Sequence, residues 1–210
     1  TEVSWPENIG YVKVNAFSGG ATSTEAIKIA EEIQQQIRDH DNAELEGWIV
    51  DLRGNLGGNM WPMIAGIGPI LGEGTAGYFI DPDNNEASWG FANGASINNE
   101  LYTVTHIPNS YTLLNPEPKV AVLLNNAIAS SGEVIAISFI GRDNTRSFGD
   151  PTCGLSTSNS TYPISDGAFL YLTSAYLADR NKNTYGEAIT PDVQIEGGDI
   201  VQVAADWILE

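Results

Sequence analysis

Apolar and polar residues alternate from Ile9 to Phe17 (IGYVKVNAF), which predicts a strand running into the turn Ser18-Gly19-Gly20. The period then changes. Ile27, Ala30, Ile33 and Ile37 recur at helical spacing behind Thr22-Ser23-Thr24-Glu25, which has capping-box spacing, so a helix is expected to about Arg38. Trp48-Ile49-Val50-Asp51-Leu52 is too continuously apolar for a sheet with one wet face and reads as a central strand. The stretch Arg53 to Asn59, with three glycines and two asparagines, permits backbone conformations closed to other residues and reads as a tight loop before a helix from Met60 to about Ile70. Short alternating runs at Tyr78-Phe79-Ile80 and from Leu101 to Thr105 predict hairpins between residues 75 and 105.

A second apolar run, Val120 to Leu124, leads straight into Asn125-Asn126-Ala127-Ile128-Ala129-Ser130-Ser131-Gly132-Glu133 and a helix from about Ser130 to Ile140. Thr145 to Phe148 reads as a short strand, residues 149–154 as a turn, and Phe169 to Tyr176 as an alternating strand. Ile189-Thr190-Pro191-Asp192 should turn the chain before Val193, and Ile200, Val203, Ala204 and Trp207 predict a C-terminal helix. No repeat or low-complexity linker interrupts the 210 residues, which points to a single domain over residues 1–210.

Composition narrows the possible partners. Nine Lys and Arg stand against 27 Asp and Glu, and the resulting charge of −18 argues against nucleic acid or an anionic membrane as partner and favours cationic peptides. No apolar run approaches the ~20 residues that a membrane-spanning helix needs. One cysteine excludes an internal disulfide and a multi-cysteine zinc site, and with no histidine near it in sequence Cys153 is expected to be a packed thiol. Asp81-Pro82-Asp83-Asn84-Asn85-Glu86 has the oxygen density of a calcium site without the EF-hand spacing and is read as a plain turn. The Arg53 to Asn59 loop lacks both the phosphate-binding Gly-Lys-Ser/Thr and a dinucleotide fingerprint, so no nucleotide is expected there, and Asp51 and Arg53 are read as a buried pair that supports it. His40 should be a solvated helix end, and His106 a strand-end histidine, structural or lining a cleft.

The Asn125 to Glu133 stretch holds the candidate chemistry. A serine where a buried strand turns into a helix is at its simplest an N-cap. The same place offers free backbone N–H groups and the positive end of a helix dipole, which favour developing negative charge. Ser130 and Ser131 are therefore candidates for either role.

Three stretches together resemble the catalytic domain of the S41 peptidases, the group of C-terminal processing proteases, the tricorn core and nisin-resistance-type proteases. Val50-Asp51-Leu52-Arg53-Gly54-Asn55-Leu56-Gly57-Gly58 is similar to the family's loop that supplies an oxyanion-hole N–H, and Ala129-Ser130-Ser131-Gly132-Glu133 to its nucleophile segment. Residues 148–154 and Ile189-Thr190-Pro191-Asp192 resemble its later landmarks. The resemblance implies an α/β fold of the ClpP/crotonase-like type, with a central mixed sheet flanked by helices. It implies a serine peptidase acting on peptides or proteins, without metal or organic cofactor, and an extracytoplasmic location. By position Ser130 is the nucleophile, since the family places it three residues before the glutamate matched by Glu133; Ser131 N–H faces Gly57 or Gly58 across the oxyanion hole, and Glu187 is the distal carboxylate.

The departures bear on the base. The lysine that many members carry about 25 residues after the serine has no counterpart, because Leu155 stands there. The other branch takes a histidine from upstream of the first strand, and neither His40 nor His106 occupies that place. The expectation is a catalytic domain whose N-terminal segment, with the histidine, lies outside this chain. The alternative is a non-catalytic relative that binds a peptide or apolar ligand through the aromatic-rich segment Tyr78 to Tyr111. An acyl-CoA enzyme of crotonase type would share the oxyanion site but has no use for a serine nucleophile, and the acidic surface is a poor host for CoA phosphates.

Overall fold

In the computed structural model, which describes residues 8–210, the described residues form twelve strands and four helices. Residues 1–7, where the expected start ahead of the first strand falls, lie outside that range. The two continuously apolar runs became neighbouring inner strands. β2 (Gly47–Asp51) is buried at every residue and pairs in parallel with β1 (Ile9–Lys13) on one side and β7 (Lys119–Leu124) on the other. β8 (Thr145–Gly149) and β12 (Val193–Gln194) complete a five-stranded sheet in the order β1-β2-β7-β8-β12, parallel throughout.

Both faces of this sheet are covered, which is why its inner strands are not amphipathic. Trp48, Val50, Val120, Val122 and Leu124 point into the main core, with Ile33 and Ile37 of α1 (Thr24–His40), Met63 and Ile67 of α2 (Met60–Leu71), and Val134 and Ile137 of α3 (Ser131–Phe139). Ile49, Ala121, Leu123 and Phe148 face the other way, onto Ala204, Ala205 and Ile208 of α4 (Ile200–Leu209).

The hairpins expected from 75 to 105 are β3 (Gly74–Ile80), β4 (Glu86–Ala92), β5 (Ala95–Asn98) and β6 (Tyr102–His106). They belong to a second, antiparallel sheet with β9 (Thr157–Pro163), β10 (Phe169–Ala178) and β11 (Thr184–Tyr185). The α/β fold is therefore as expected, with its mixed character divided between a parallel and an antiparallel sheet. Trp89 and Phe91 of β4 and Leu177 of β10 join the main core, and the Trp89 indole donates to Ser138 Oγ of α3 at 2.9 Å.

Several local expectations shift. The first strand ends at Lys13, and Phe17 makes only an isolated parallel bridge to Gly58. The N-cap of α1 is Ser23, which accepts from Ala26 N–H at 3.1 Å, one residue later than the Thr22 spacing suggested. α1 continues to His40, whose exposed ring lies 2.8 Å from Gln36 O. Asp81 closes its turn by accepting from Asp83 N–H, Asn85 N–H and Asn85 Nδ2 at 2.8–2.9 Å. Cys153 is exposed, not a packed thiol, because its segment crosses the surface beside residues 128–133, with Cys153 N–H donating to Ile128 O at 2.9 Å.

Candidate active site

The ends of β2 and β7 place two loops side by side at the carboxyl edge of the parallel sheet, where open α/β sheets bind ligands. Three bonds stitch residues 53–59 to residues 125–131. Asn125 Oδ1 accepts from Gly54 N–H at 3.1 Å, Ala129 N–H donates to Asn55 O at 3.1 Å, and Ser131 Oγ donates to Gly58 O at 2.7 Å.

Asn55 organises the first loop. It is buried, its Nδ2 donates to Val14 O at 3.1 Å, and its Oδ1 accepts from Gly57 N–H at 3.0 Å. Gly57 and Gly58 have φ of 95° and 109°, and a Cβ on Gly57 would lie 2.5 Å from Ala129 O and 2.9 Å from Ser131 N. Only glycine lets the two loops approach this closely. Because Gly57 N–H is taken by Asn55, the geometry separates the two glycines. Gly58 N–H and Ser131 N–H donate to no acceptor among the described residues.

Ser130 stands at the strand-to-helix turn with φ 53° and ψ −120°, a strained backbone for a residue other than glycine. Glu133 holds it there. The fully buried Glu133 carboxylate accepts from Ser130 N–H at 2.9 Å through one oxygen, and from Thr152 Oγ1 at 2.6 Å and Gly154 N–H at 2.9 Å through the other. Thr152 in turn accepts from Ile189 N–H at 2.9 Å, so residues 152–154 and 189 are fastened to the serine through one carboxylate. This role was missed in the sequence, although the Ser130-x-x-Glu133 spacing is the visible half of the signal.

Ser130, Ser131, Gly58 and Asn59 open on a cleft of about 710 Å³, walled by Trp61, Phe79 and Val134 and by Thr157, Ser158, Asn159, Thr161, Tyr171 and Leu177 of the second sheet. No histidine, lysine or carboxylate of the described residues lines it. His106 is exposed at the end of β6, and Leu155 is exposed as well. Glu187 is exposed and away from the cleft wall; its backbone carbonyl accepts from Ser156 Oγ at 2.6 Å.

The loop is braced from below by the expected ion pair. Arg53 Nε and Nη2 donate to the two oxygens of buried Asp51 at 2.9 and 2.7 Å, Lys13 Nζ lies 3.2 Å away, and Tyr11 OH donates at 2.9 Å. Burial alone would raise the Asp51 pKa, but the hydrogen bonds from Arg53 and the charges of Lys13 and Arg53 outweigh it and hold the carboxyl below its usual range. Burial, then the neighbouring Asp51, pushes the Tyr11 phenol up.

Comparison with known proteins agrees with the three-segment resemblance. The sequence model of Peptidase family S41 matches residues 8–195. The chain is 35% identical over 163 residues to the nisin-resistance protein of Lactococcus lactis subsp. lactis, covering 77% of this chain and 49% of that protein. It is 29% identical over 211 residues to the chloroplastic carboxyl-terminal-processing peptidase 3 of Arabidopsis thaliana, covering 95% of this chain and 34% of that one. Among solved structures, a lipoprotein from Streptococcus agalactiae superimposes with a TM-score of 0.78 at 27% identity, over 98% of this chain and 68% of the other. The photosystem II D1 C-terminal processing protease shares the fold, with a TM-score of 0.62 at 21% identity over 89% of this chain and 42% of that one. The chain thus spans half or less of the length of these curated relatives. No helix among the described residues is long and apolar enough to cross a membrane. By its sequence match and its fold, this chain belongs to peptidase family S41.

Proposed function

We propose that the chain is the catalytic domain of a serine peptidase in which Ser130 is the nucleophile and the N–H groups of Gly58 and Ser131 hold the oxyanion. The observation that carries this reading is the pair of N–H groups, without an acceptor among the described residues, that flank a strained serine opening on the cleft. Ser130 Oγ adds to the scissile carbonyl, its proton passes to a base, and the carbonyl electrons move onto the oxygen facing the two N–H groups. Collapse expels the amine, which takes that proton, and water then releases the acyl group from Ser130 by the same steps. Losing one oxyanion donor costs about 3 kcal/mol of transition-state stabilisation in serine proteases. Gly57 keeps the loops close and spends its own N–H on Asn55.

The base is a histidine supplied by residues outside the described ones, and Glu187, exposed and off the cleft wall, is the carboxylate assigned to orient it. The substrate is a peptide or protein, for which the charge of −18 favours positively charged chains. The likeness to a streptococcal lipoprotein supports an extracytoplasmic location. In the full-length protein Ser130→Ala should abolish peptide cleavage, while Ser131→Ala, which keeps the N–H and loses only the 2.7 Å bond to Gly58 O, should cost less than about tenfold. Cleavage that survives Ser130→Ala would overturn the assignment. No cleavage by the wild type, with peptide binding retained, would favour the non-catalytic relative.

A further inference from the structure

The antiparallel ribbon of β9 and β10 contributes to the cleft at its root and projects beyond it with both faces exposed. Among the described residues β9 pairs only with β10, so its outer edge is unpaired there. Between Asn159↔Thr173 and Pro163↔Phe169 the register is regular, so alternate residues share a face. Asn159, Thr161 and Tyr171 all line the cleft, which identifies that face as the cleft side, and Phe169 and Pro163 continue it toward the tip. Tyr171 and Phe169 are 68% and 58% exposed. Large rings so accessible on a strand pair that leads out of a candidate active site are surface kept for a partner.

Resting on the peptidase reading, we propose that the cleft side of this ribbon is an extended substrate arm, where a peptide leaving the scissile position lies along β9 and packs apolar side chains on Tyr171 and Phe169. Continuity with the cleft fixes the location. The free edge of β9 offers main-chain pairing of the kind that recruits extended peptides, and the net charge of −18 favours a peptide that also carries basic residues. From Leu177, in the cleft, to Phe169 is eight residue-to-residue steps along the strand. At about 3.3 Å per residue this is roughly 26 Å, the length of about eight residues of extended peptide. Recognition therefore reaches well past the residues next to the cleaved bond, and peptide length contributes to affinity.

The test reads binding apart from turnover. Full-length protein carrying Ser130→Ala is titrated, by fluorescence anisotropy, with labelled twelve-residue (Val-Lys)6 and four-residue (Val-Lys)2 peptides. The long peptide should bind at least tenfold more tightly. Adding Tyr171→Ser with Phe169→Ser should remove that advantage. Adding Leu170→Ser with Leu172→Ser, which removes comparable exposed apolar surface from the opposite face, should change it by less than twofold. No length advantage, an advantage that survives the cleft-side substitutions, or an equal loss from both faces would overturn the arm. Ser130-dependent cleavage by the wild type, measured separately, judges the peptidase reading, so the two can fail independently.

Discussion

Replacing Glu133 by glutamine keeps the volume of a fully buried side chain and exchanges one acceptor oxygen for a donor amide. Both oxygens of Glu133 accept N–H bonds, from Ser130 on one side and Gly154 on the other, with Thr152 Oγ1 as a third donor. Glutamine can satisfy only one side. With its amide toward Ser130, two N–H groups meet head-on and the Ser130 donor is stranded. With the opposite flip, the Thr152 hydroxyl can accept instead, and Gly154 N–H is stranded. Either way one hydrogen bond is lost and one buried donor is left unsatisfied, a combined cost of about 2–4 kcal/mol. For a domain of this size that corresponds to a melting temperature lower by roughly 5–15 °C. Ser130 also holds a positive φ whose strain is of order 1–3 kcal/mol and persists only where surroundings over-determine it. In the flip that turns the amide toward Ser130, the serine is freed from Glu133 and should relax toward extended backbone, lowering kcat by at least tenfold at peptide concentrations that saturate the wild type. Thermal melts and steady-state kinetics on the full-length protein check both parts. A glutamine variant that melts within about 2 °C of wild type with unchanged kcat would refute the view that this carboxylate sets the conformation of Ser130.

Two further outcomes follow from the loop geometry. Gly57→Ala introduces a Cβ 2.5 Å from Ala129 O at a φ of 95°, so the loop must move and carry Gly58 N–H off target; kcat should fall about 100-fold, and a fall below threefold would contradict the assignment. Asp51→Asn leaves Arg53 and Lys13 half-buried without their counter-charge and should cost about 2 kcal/mol at pH 7. Because the folded Asp51 pKa is depressed, the wild-type contribution is complete above the unfolded value of about 3.9 and is lost as pH falls through the lower folded value. The stability gap between wild type and Asp51→Asn should therefore be wide in melts at pH 7 and should start to close only below about pH 4, shrinking further as pH falls through the lower folded value. A gap that stays constant with pH would argue against the pair.

The parts of the fold that could be read from the residues are those whose burial leaves a periodic or continuous trace. β2 and β7 are apolar because helices cover both faces of their sheet, α1 and α4 show the stripe each turns to the core, and α2 is apolar throughout because it is buried nearly all round. β9 left no trace: Thr157 to Pro163 is polar and largely open to solvent, and it is a strand because β10 pairs with it. The two-residue β11 and β12 are likewise fixed by their neighbours. At the site, Ser130 and the glycine loop were legible because their residue types suit a strained turn and a close approach. The separation of Gly57 from Gly58 was not, since it turns on which N–H the Asn55 side chain takes. The convergence of Ser130, Thr152 and Gly154 on Glu133 spans up to 21 residues and follows no period. Cys153 was misjudged for a related reason. A lone thiol in a turn carries no periodic signal, and its segment is held at the surface by the Cys153 N–H bond to Ile128 O and by the bonds of Thr152 and Gly154 to Glu133, none of which follows a period.

The central claim is that Ser130, held by Glu133 beside the Gly58 and Ser131 N–H groups, is the attacking group. Its most direct test is to treat the full-length protein with a fluorophosphonate and map the adduct by peptide mass spectrometry. The account predicts a single stoichiometric adduct on Ser130 and none in Ser130→Ala. An adduct on Ser131, or labelling that persists in Ser130→Ala, would contradict it.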